Sequence, residues 1–313
     1  MFAYFRAPIG WIEIIQRTVR ETIDDGCFGL AAQLAFYFVL GLFPALIFLI
    51  ALIGFIPVRP AIDEALEGLS RLAPSDVAAI VERQLKAIAE GRNGGLLTIG
   101  ILGAVWSSSA AMTAIISALN RAYDIEEWRP WWKRRLIAVL LTLGLAAFIL
   151  LSFGLIMAGP ITARALAGWF GAGEGLVAVW GFAQWPLSIL LIVLAIDLVY
   201  YFAPNADTEW VWITPGSLLA TGLWVASSLG FKLYVGQVAS FGATYGAIGG
   251  MIVLLLWLYA SGLSILVGAE MNAVIDAALP YGDSAPRHGP GERKKIGPAA
   301  ERAHTRGQAS SSR

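Results

Sequence analysis

Histidine and cysteine are almost absent from this 313-residue chain. The two histidines, His288 and His304, lie in the polar C-terminal stretch, and Cys27 is the single cysteine. One cysteine cannot form an internal disulfide, and no Cys/His spacing of a metal site is present. We therefore expect no catalytic residues, no metal and no cofactor. A GxxxxGK[ST] phosphate-binding loop is also missing, so any transport would be ion-coupled, passive or driven by a separate partner.

Charged residues are scarce as well. They make up 14% of the chain and hydrophobic residues 58%, against about 25% and 45–50% in average globular domains. The stretch 247–269 contains no charge over 23 residues, and about 20 apolar residues suffice for a helix to cross a bilayer. The composition predicts a polytopic membrane protein. The net charge of zero gives no reason to expect a nucleic-acid partner.

Six apolar segments have the length of a membrane span, which predicts an all-α fold with six transmembrane helices and amphipathic interfacial helices. Residues 1–28 read as an interfacial helix on the cytoplasmic face, and 57–94 as a helical segment on the outer face. Residues 278–313 are rich in Gly, Pro, Ser, Arg and Lys and predict a disordered cytoplasmic tail. The six-helix membrane domain covers 29–277, and its spans are placed at 29–56, 96–119, 136–159, 177–202, 211–235 and 247–269.

The distribution of basic residues gives the orientation. With six spans, 15 Lys and Arg residues fall on the side that carries both termini and 6 fall on the other side, while Lys232 lies within a span. Loops rich in Lys and Arg stay in the cytoplasm. Both termini are therefore predicted to be cytoplasmic.

Five polar residues in or beside the predicted spans fall toward the cytoplasmic side. A charged side chain inside a span is costly and usually faces a protein interior or a water-filled cavity. The sequence therefore suggests one polar cavity open to the cytoplasm, and the alternative is a set of structural contacts that lock helices together. The candidate residues are Gln33, Asn120, Asp197, Glu270 and Asn272.

The loop between the second and third spans, 120–135, interleaves tryptophans with cations. Tryptophan is enriched at the water–lipid boundary, and clustered Lys and Arg are attracted to the anionic cytoplasmic leaflet. Arg129, Lys133, Arg134 and Arg135 are predicted to contact anionic lipid. The alternative is a topological anchor with no further role.

Four segments together resemble the YihY/BrkB family of bacterial inner-membrane proteins, in order and spacing over residues 10–277. They are AAQLAFYFVLGLFPAL (31–46), NRAYDIEEWRPWWKRRL (120–136), YYFAPNADTEWVWITPGSLLAT (200–221) and YGAIGGMIVLLLWLYASGLSILVGAEMNA (245–273). The resemblance implies a six-span protein of the inner membrane, linked to transport or export and, in some members, to resistance to serum killing. It implies no catalytic residues, and nothing in the sequence supports the name ribonuclease BN once used for the family.

Two functional classes follow. The first is a transporter or exporter of a small molecule or a lipid-related substrate. Membrane lipids are its expected partners. The second is a non-transporting scaffold that organises envelope lipids or proteins. A scaffold would tolerate neutral replacement of Asp197 and Glu270, whereas a transporter that uses their charge would not. A membrane ribonuclease would need a cluster of metal ligands or a nucleophile with a base, and the sequence supplies neither.

Overall fold

The structure is a computed structural model that describes residues 9–55, 94–170, 173–207, 210–237, 241–278 and 294–295. Almost all of the predicted outer segment, 57–94, and most of the predicted tail, 278–313, lie outside these ranges. The elements are α1 Trp11–Asp24, α2 Cys27–Phe55, α3 Gly94–Ala122, α4 Trp131–Phe170, α5 Gly173–Phe202, β1 Ala206–Asp207, α6 Pro215–Gln237, α7 Phe241–Ala278 and β2 Lys294–Lys295.

The helical class predicted from the sequence is confirmed for this part of the chain. Each of the six predicted apolar segments corresponds to one helix from α2 to α7, and the N-terminal segment contains α1. The strands β1 and β2 are two residues each and pair in parallel, Ala206 with Lys294 and Asp207 with Lys295. The predicted tail thus returns to the α5–α6 connection at this point.

Three helices of the described chain are long and apolar enough to cross a membrane: Trp131–Ser152 within α4, Val177–Phe202 within α5 and Gly249–Ala278 within α7. The pair Trp11–Asp24 and Cys27–Gly41, bent by 65°, would be a fourth if it formed one span. The number six is therefore not reached on this criterion. In α6, Ser, Thr and Gly residues and Lys232 dilute the apolar content.

Large apolar side chains cover the outer surface of the apolar helices. Leu150 on α4, Phe182 on α5 and Leu233 on α6 are 67%, 80% and 67% exposed. A soluble protein rarely presents apolar patches of this extent to water. The exposed side chains match a surface that faces lipid.

Helices that follow one another pack together: α2 with α3, α4 with α5, and α6 with α7; α2 also packs on α7. The largest core cluster joins residues from α2 to α7, among them Leu34, Ile116, Leu141, Val199, Ala220 and Leu266. A second cluster holds α1 against the end of α7, where Ile14 packs with Met271, Val274 and Ile275.

Two features hold α6 and α7 together. At Gly216 and Gly268 the two backbones touch, and a Cβ on either glycine would collide with the carbonyl oxygen of the other. Further along, the indole of Trp224 donates to Ser261 Oγ at 3.2 Å, and the indole of Trp257 donates to Ser228 Oγ at 3.1 Å. Small residues allow such close approach of helices in membranes.

Candidate functional site at the polar end of the bundle

Buried polar side chains gather at one end of the bundle, which we call the polar end. It consists of the C-terminal ends of α3, α5 and α7, the starts of α2 and α6, and the loop 123–130. Four of the five predicted cavity residues lie here and are buried: Asn120, Asp197, Glu270 and Asn272. They belong to three separate groups of hydrogen bonds.

The first group is built on the start of α6. Thr214 precedes Pro215, the first helical residue, and its hydroxyl accepts from the Ser217 amide at 3.1 Å. The Thr214 hydroxyl donates to Asp197 Oδ1 at 2.7 Å and the Ser217 hydroxyl contacts Asp197 Oδ2 at 2.8 Å. Asp197 is only 2% exposed. The first turn of α6 therefore supplies two hydroxyl donors to this buried carboxyl.

Asn272 extends this group to α7. Its Oδ1 accepts from the Gly216 amide at 2.9 Å, and its Nδ2 donates to Thr214 Oγ1 at 3.0 Å. Thr214 therefore stands between Asp197 and Asn272, and the group joins α5, α6 and α7.

The second group connects the loop 123–130 with the end of α5. Asn120 donates through Nδ2 to Glu127 Oε2 at 2.9 Å and accepts from the Asn205 amide at 2.8 Å. Arg129 forms a bidentate ion pair with Glu127, with both N···O distances 2.7 Å, and donates to the Ala203 carbonyl at 2.8 Å. Arg129 therefore bridges the loop and Ala203, the residue that follows α5.

The charge of Arg129 sets the protonation of Glu127. Partial burial acts to raise the pKa of Glu127, but the hydrogen bonds and positive charge of Arg129, with the amide of Asn120, lower that pKa below its ordinary value of 4.5. Glu127 is thus held as a carboxylate.

The third group surrounds Glu270, which is 1% exposed. The Cys27 thiol donates to Glu270 Oε1 at 3.2 Å. Asp25 lies beside the same carboxyl. Gly26, between Asp25 and Cys27, has a φ of 67°, and Arg121 Nη2 lies 4.0 Å from the place that a Cβ on Gly26 would take.

An open cleft of about 400 Å³ adjoins the second group. Of the five predicted cavity residues it contains only Asn120, and its lining is Ser117, Asn120, Arg121, Asp124, Ile125, Glu126 and Glu127. Asp124 adopts the left-handed conformation, with φ at 50°, where the chain turns out of α3. Of the charged residues that line the cleft, Arg121, Asp124 and Glu126 are exposed to solvent.

The structure does not bring all five candidate residues into one cavity. Gln33 is exposed on α2. Glu270 and Asn272 are two residues apart, so their side chains leave α7 in different directions, toward Cys27 and toward Gly216 respectively. Asp197 and Glu270 share no hydrogen-bond partner among those that the structure describes.

The predicted lipid contacts need a correction at Arg129. Its side chain is 7% exposed and paired with Glu127, so it cannot reach lipid headgroups. Arg134 and Arg135 are half-buried and donate to the backbone carbonyls of Thr113 and Trp106 on α3. Lys133 is exposed and lies 5.4 Å from the centre of the Trp132 ring. Of the four, Lys133 alone is exposed.

Sequence reasoning missed several members of these groups: Cys27, Glu127, Asn205, Thr214 and Ser217. For Thr214 a signal was available, because Thr-Pro-Gly-Ser before an apolar run is typical of a helix start. Within the described ranges no three His, Cys, Asp or Glu side chains are placed to hold a metal ion together.

Several known proteins are similar to this chain over most of its length. A family model described as Virulence factor BrkB matches residues 18–291. A protein of Bacillus subtilis strain 168 described as ribonuclease-like, YfkH, is 36% identical over 269 residues, which is 86% of this chain and 97% of that protein. No solved structure matches the chain.

Two further relatives are named UPF0761 membrane proteins. RSc1559 of Ralstonia nicotianae is 27% identical over 270 residues, 84% of this chain and 59% of its own length. PSHAa0171 of Pseudoalteromonas translucida is 25% identical over 276 residues, 86% of each chain. The chain thus spans nearly all of some relatives and little more than half of others.

Proposed function

The chain belongs to the BrkB family of integral membrane proteins, and we propose that it crosses the bacterial inner membrane six times and transports or exports a small molecule or lipid-related substrate. The resemblance seen in four sequence segments is confirmed by the family match over residues 18–291. The membrane character is shared with the UPF0761 relatives.

The six-span arrangement is supported by the agreement between the six apolar segments and the helices α2 to α7. The proposed orientation places the polar end in the cytoplasm. Among the described residues, Arg17, Arg20, Arg121 and Arg129 lie at this end, whereas Arg164 and Lys232 lie in the distal halves of α4 and α6. Cytoplasmic loops carry the excess of Lys and Arg.

One observation carries the transport proposal: three buried carboxyl side chains of the described chain lie inside apolar helices, those of Asp197, Glu270 and Asp276, and the two least exposed carry the argument. Asp197 lies in the candidate span of α5 and Glu270 in that of α7, and they are 2% and 1% exposed. Asp197 accepts hydrogen bonds from two hydroxyls, and Glu270 accepts one from a thiol and lies within hydrogen-bond reach of the Asp25 carboxyl. Ionisable residues in such positions commonly serve ion or proton pathways.

A proton or a cation is therefore the expected coupling ion. A carboxyl group with uncharged partners can exchange its proton without breaking an ion pair, and protonation lowers the cost of its burial. In this proposal Asp197 and Glu270 bind the coupling ion, and the cleft at the polar end admits the substrate. We further propose that the chain has no ribonuclease activity and takes no cofactor.

A non-transporting scaffold is the second candidate. It is favoured by the fact that Asp197, Thr214, Ser217 and Asn272 satisfy one another, as a structural lock between helices would.

Comparison of metabolites and lipids can separate the two candidates. Cells without the protein would be complemented with wild type, Asp197→Asn, Glu270→Gln or the control Ser227→Ala, whose hydroxyl bonds back to its own helix. Transport predicts a compound that changes compartment on deletion and is restored by wild type and Ser227→Ala but not by the two carboxyl variants, at equal protein levels. Restoration by the wild type and all three variants would refute a transport role for these carboxyls.

The compound found in this way can then be tested with purified protein in vesicles that contain a pH-sensitive dye. A proton-coupled transporter should change the pH inside the vesicles, and therefore the dye signal, when the compound is added to one side. Asp197→Asn should abolish that signal with the fold intact.

A further inference from the structure

Helix α1 has three distinct faces along its length. Ile14, Thr18 and Thr22 are buried, and Ile14 packs on the end of α7. A second face carries charged side chains, including the exposed ion pair of Glu13 and Arg17. The third face is a row of apolar side chains, each more than half exposed, which we call the apolar stripe: Ile12, Ile15, Val19 and Ile23.

The direction of α1 relative to α2 identifies what the apolar stripe faces. The axes of the two helices differ by 65°, so α1 lies close to the membrane plane if α2 crosses the bilayer. Helix α2 also exposes apolar side chains after the bend, namely Phe28, Phe36 and Leu40. A helix with one apolar face, one charged face and this orientation fits the boundary between headgroups and acyl chains.

The bend between α1 and α2 lies beside Glu270. Cys27 begins α2, is 1% exposed and donates its thiol to Glu270 Oε1 at 3.2 Å. Asp25 and Glu21, from the end of α1, lie near the same carboxyl. Because α1 rests on the last turns of α7, moving α1 away would open the surroundings of both Cys27 and Glu270.

We propose that the apolar stripe of α1 is seated in the acyl region of one membrane leaflet, and that α1 in this position covers Glu270. Lipid contact then controls access of water to a buried carboxyl at the polar end. The inference needs the membrane spans but not transport, so it can fail or hold separately from the proposed function.

Spin labels can test the lipid contact directly. Full-length protein with Cys27→Ser and a single added cysteine, Ile15→Cys or Val19→Cys on the stripe and Arg17→Cys as control, would be placed in phosphatidylethanolamine–phosphatidylglycerol vesicles. Labels on the stripe should collide with lipid-dissolved oxygen more than with an aqueous nickel chelate, and the label at position 17 should show the reverse. Stripe labels that meet the chelate, or neither reagent because a protein covers them, would overturn the proposal.

The reaction rate of the native Cys27 thiol measures how well α1 shields Cys27 and Glu270 from water. A water-soluble maleimide would be added to the same vesicles with wild type, with Ile15→Gln/Val19→Gln on the stripe, or with Glu13→Gln/Asp24→Gln on the charged face. The stripe variant should react roughly tenfold faster, the change produced by a shift of about 1.4 kcal/mol in the opening equilibrium, and the charged-face variant should react like wild type. Equal rates in all three, or equal acceleration in both variants, would overturn the covering role.

Discussion

Gly216 and Gly268 bring the backbones of α6 and α7 into direct contact at the polar end. A Cβ on Gly268 would also collide with the Tyr200 hydroxyl and with Ala220 Cβ, and a Cβ on Gly216 would collide with the Asn272 side chain. The Tyr200 hydroxyl donates to the Ile265 carbonyl at 2.5 Å. The hydrogen bonds of Asp197 and Asn272 therefore depend on two positions that have no side chain.

Alanine at either glycine should destabilise the protein. Because the neighbouring atoms are backbone or are held by hydrogen bonds, we expect Gly216→Ala and Gly268→Ala each to cost about 1–3 kcal/mol or more by overpacking. Thermal unfolding in nanodiscs would measure the loss. Gly222→Ala on α6, where a Cβ meets nothing within 4 Å, should leave the melting temperature unchanged or raise it. Equal stability of all three variants would contradict the close contact.

Loss of the Thr214 hydroxyl should affect three helices at once. Thr214→Val keeps the shape of the side chain but removes its bonds to Asp197, the Ser217 amide and Asn272. Leaving buried polar groups unsatisfied costs about 1–3 kcal/mol each, so the melting temperature should fall clearly. Thr142→Val is the matched control, because within the described ranges the Thr142 hydroxyl bonds to the Ala138 carbonyl one turn earlier. A similar small effect at both positions would argue against the group at the start of α6.

The lowered pKa of Glu127 predicts how the stability of the folded protein changes with pH. Its pKa is lowered in the folded protein relative to 4.5, so its ion pair with Arg129 stabilises the fold fully above pH 4.5. That contribution is lost as the pH falls below 4.5 through the lowered pKa. Glu127→Gln should therefore melt below wild type at neutral pH, and the difference should shrink in acid. A difference that grows as the pH falls below 4.5 would contradict this assignment.

The proposed topology predicts which fusions are fluorescent. A reporter that folds only in the cytoplasm should be bright when fused after residue 280 and dark when fused at residue 75, since both termini are expected inside and 57–94 outside. Both fusions should be made at comparable expression levels. The reverse pattern would require the polar end to face outward.

The helices could be predicted from the sequence because uncharged runs of this length leave few other structures possible in lipid. The burial of Asn120, Asp197, Glu270 and Asn272 also agrees with their positions in or next to apolar runs. The grouping of these residues could not be predicted in the same way. Depth along a helix does not specify the direction of a side chain, and Gln33, on α2, is directed outward.

The contacts of the charged side chain of Arg129 could not be predicted from its position in the sequence either. Its position among tryptophans and other cations indicated a lipid contact, but Glu127 and the Ala203 carbonyl satisfy it inside the protein. A carboxylate two residues away was the available signal. The carbonyl, 74 residues along the chain, could be identified only once the end of α5 had been placed beside the loop.

The paired indoles of Trp224 and Trp257 have a mechanical consequence. Each donates to a serine on the opposite helix, and the glycine contact lies at the other end of the same interface. Sliding α6 along α7 by one turn would break both indole bonds and force a side chain into the glycine contact. The α6–α7 hairpin is therefore expected to move as a rigid body, and any large rearrangement of the bundle must occur at its borders with α1, α2, α3 and α5.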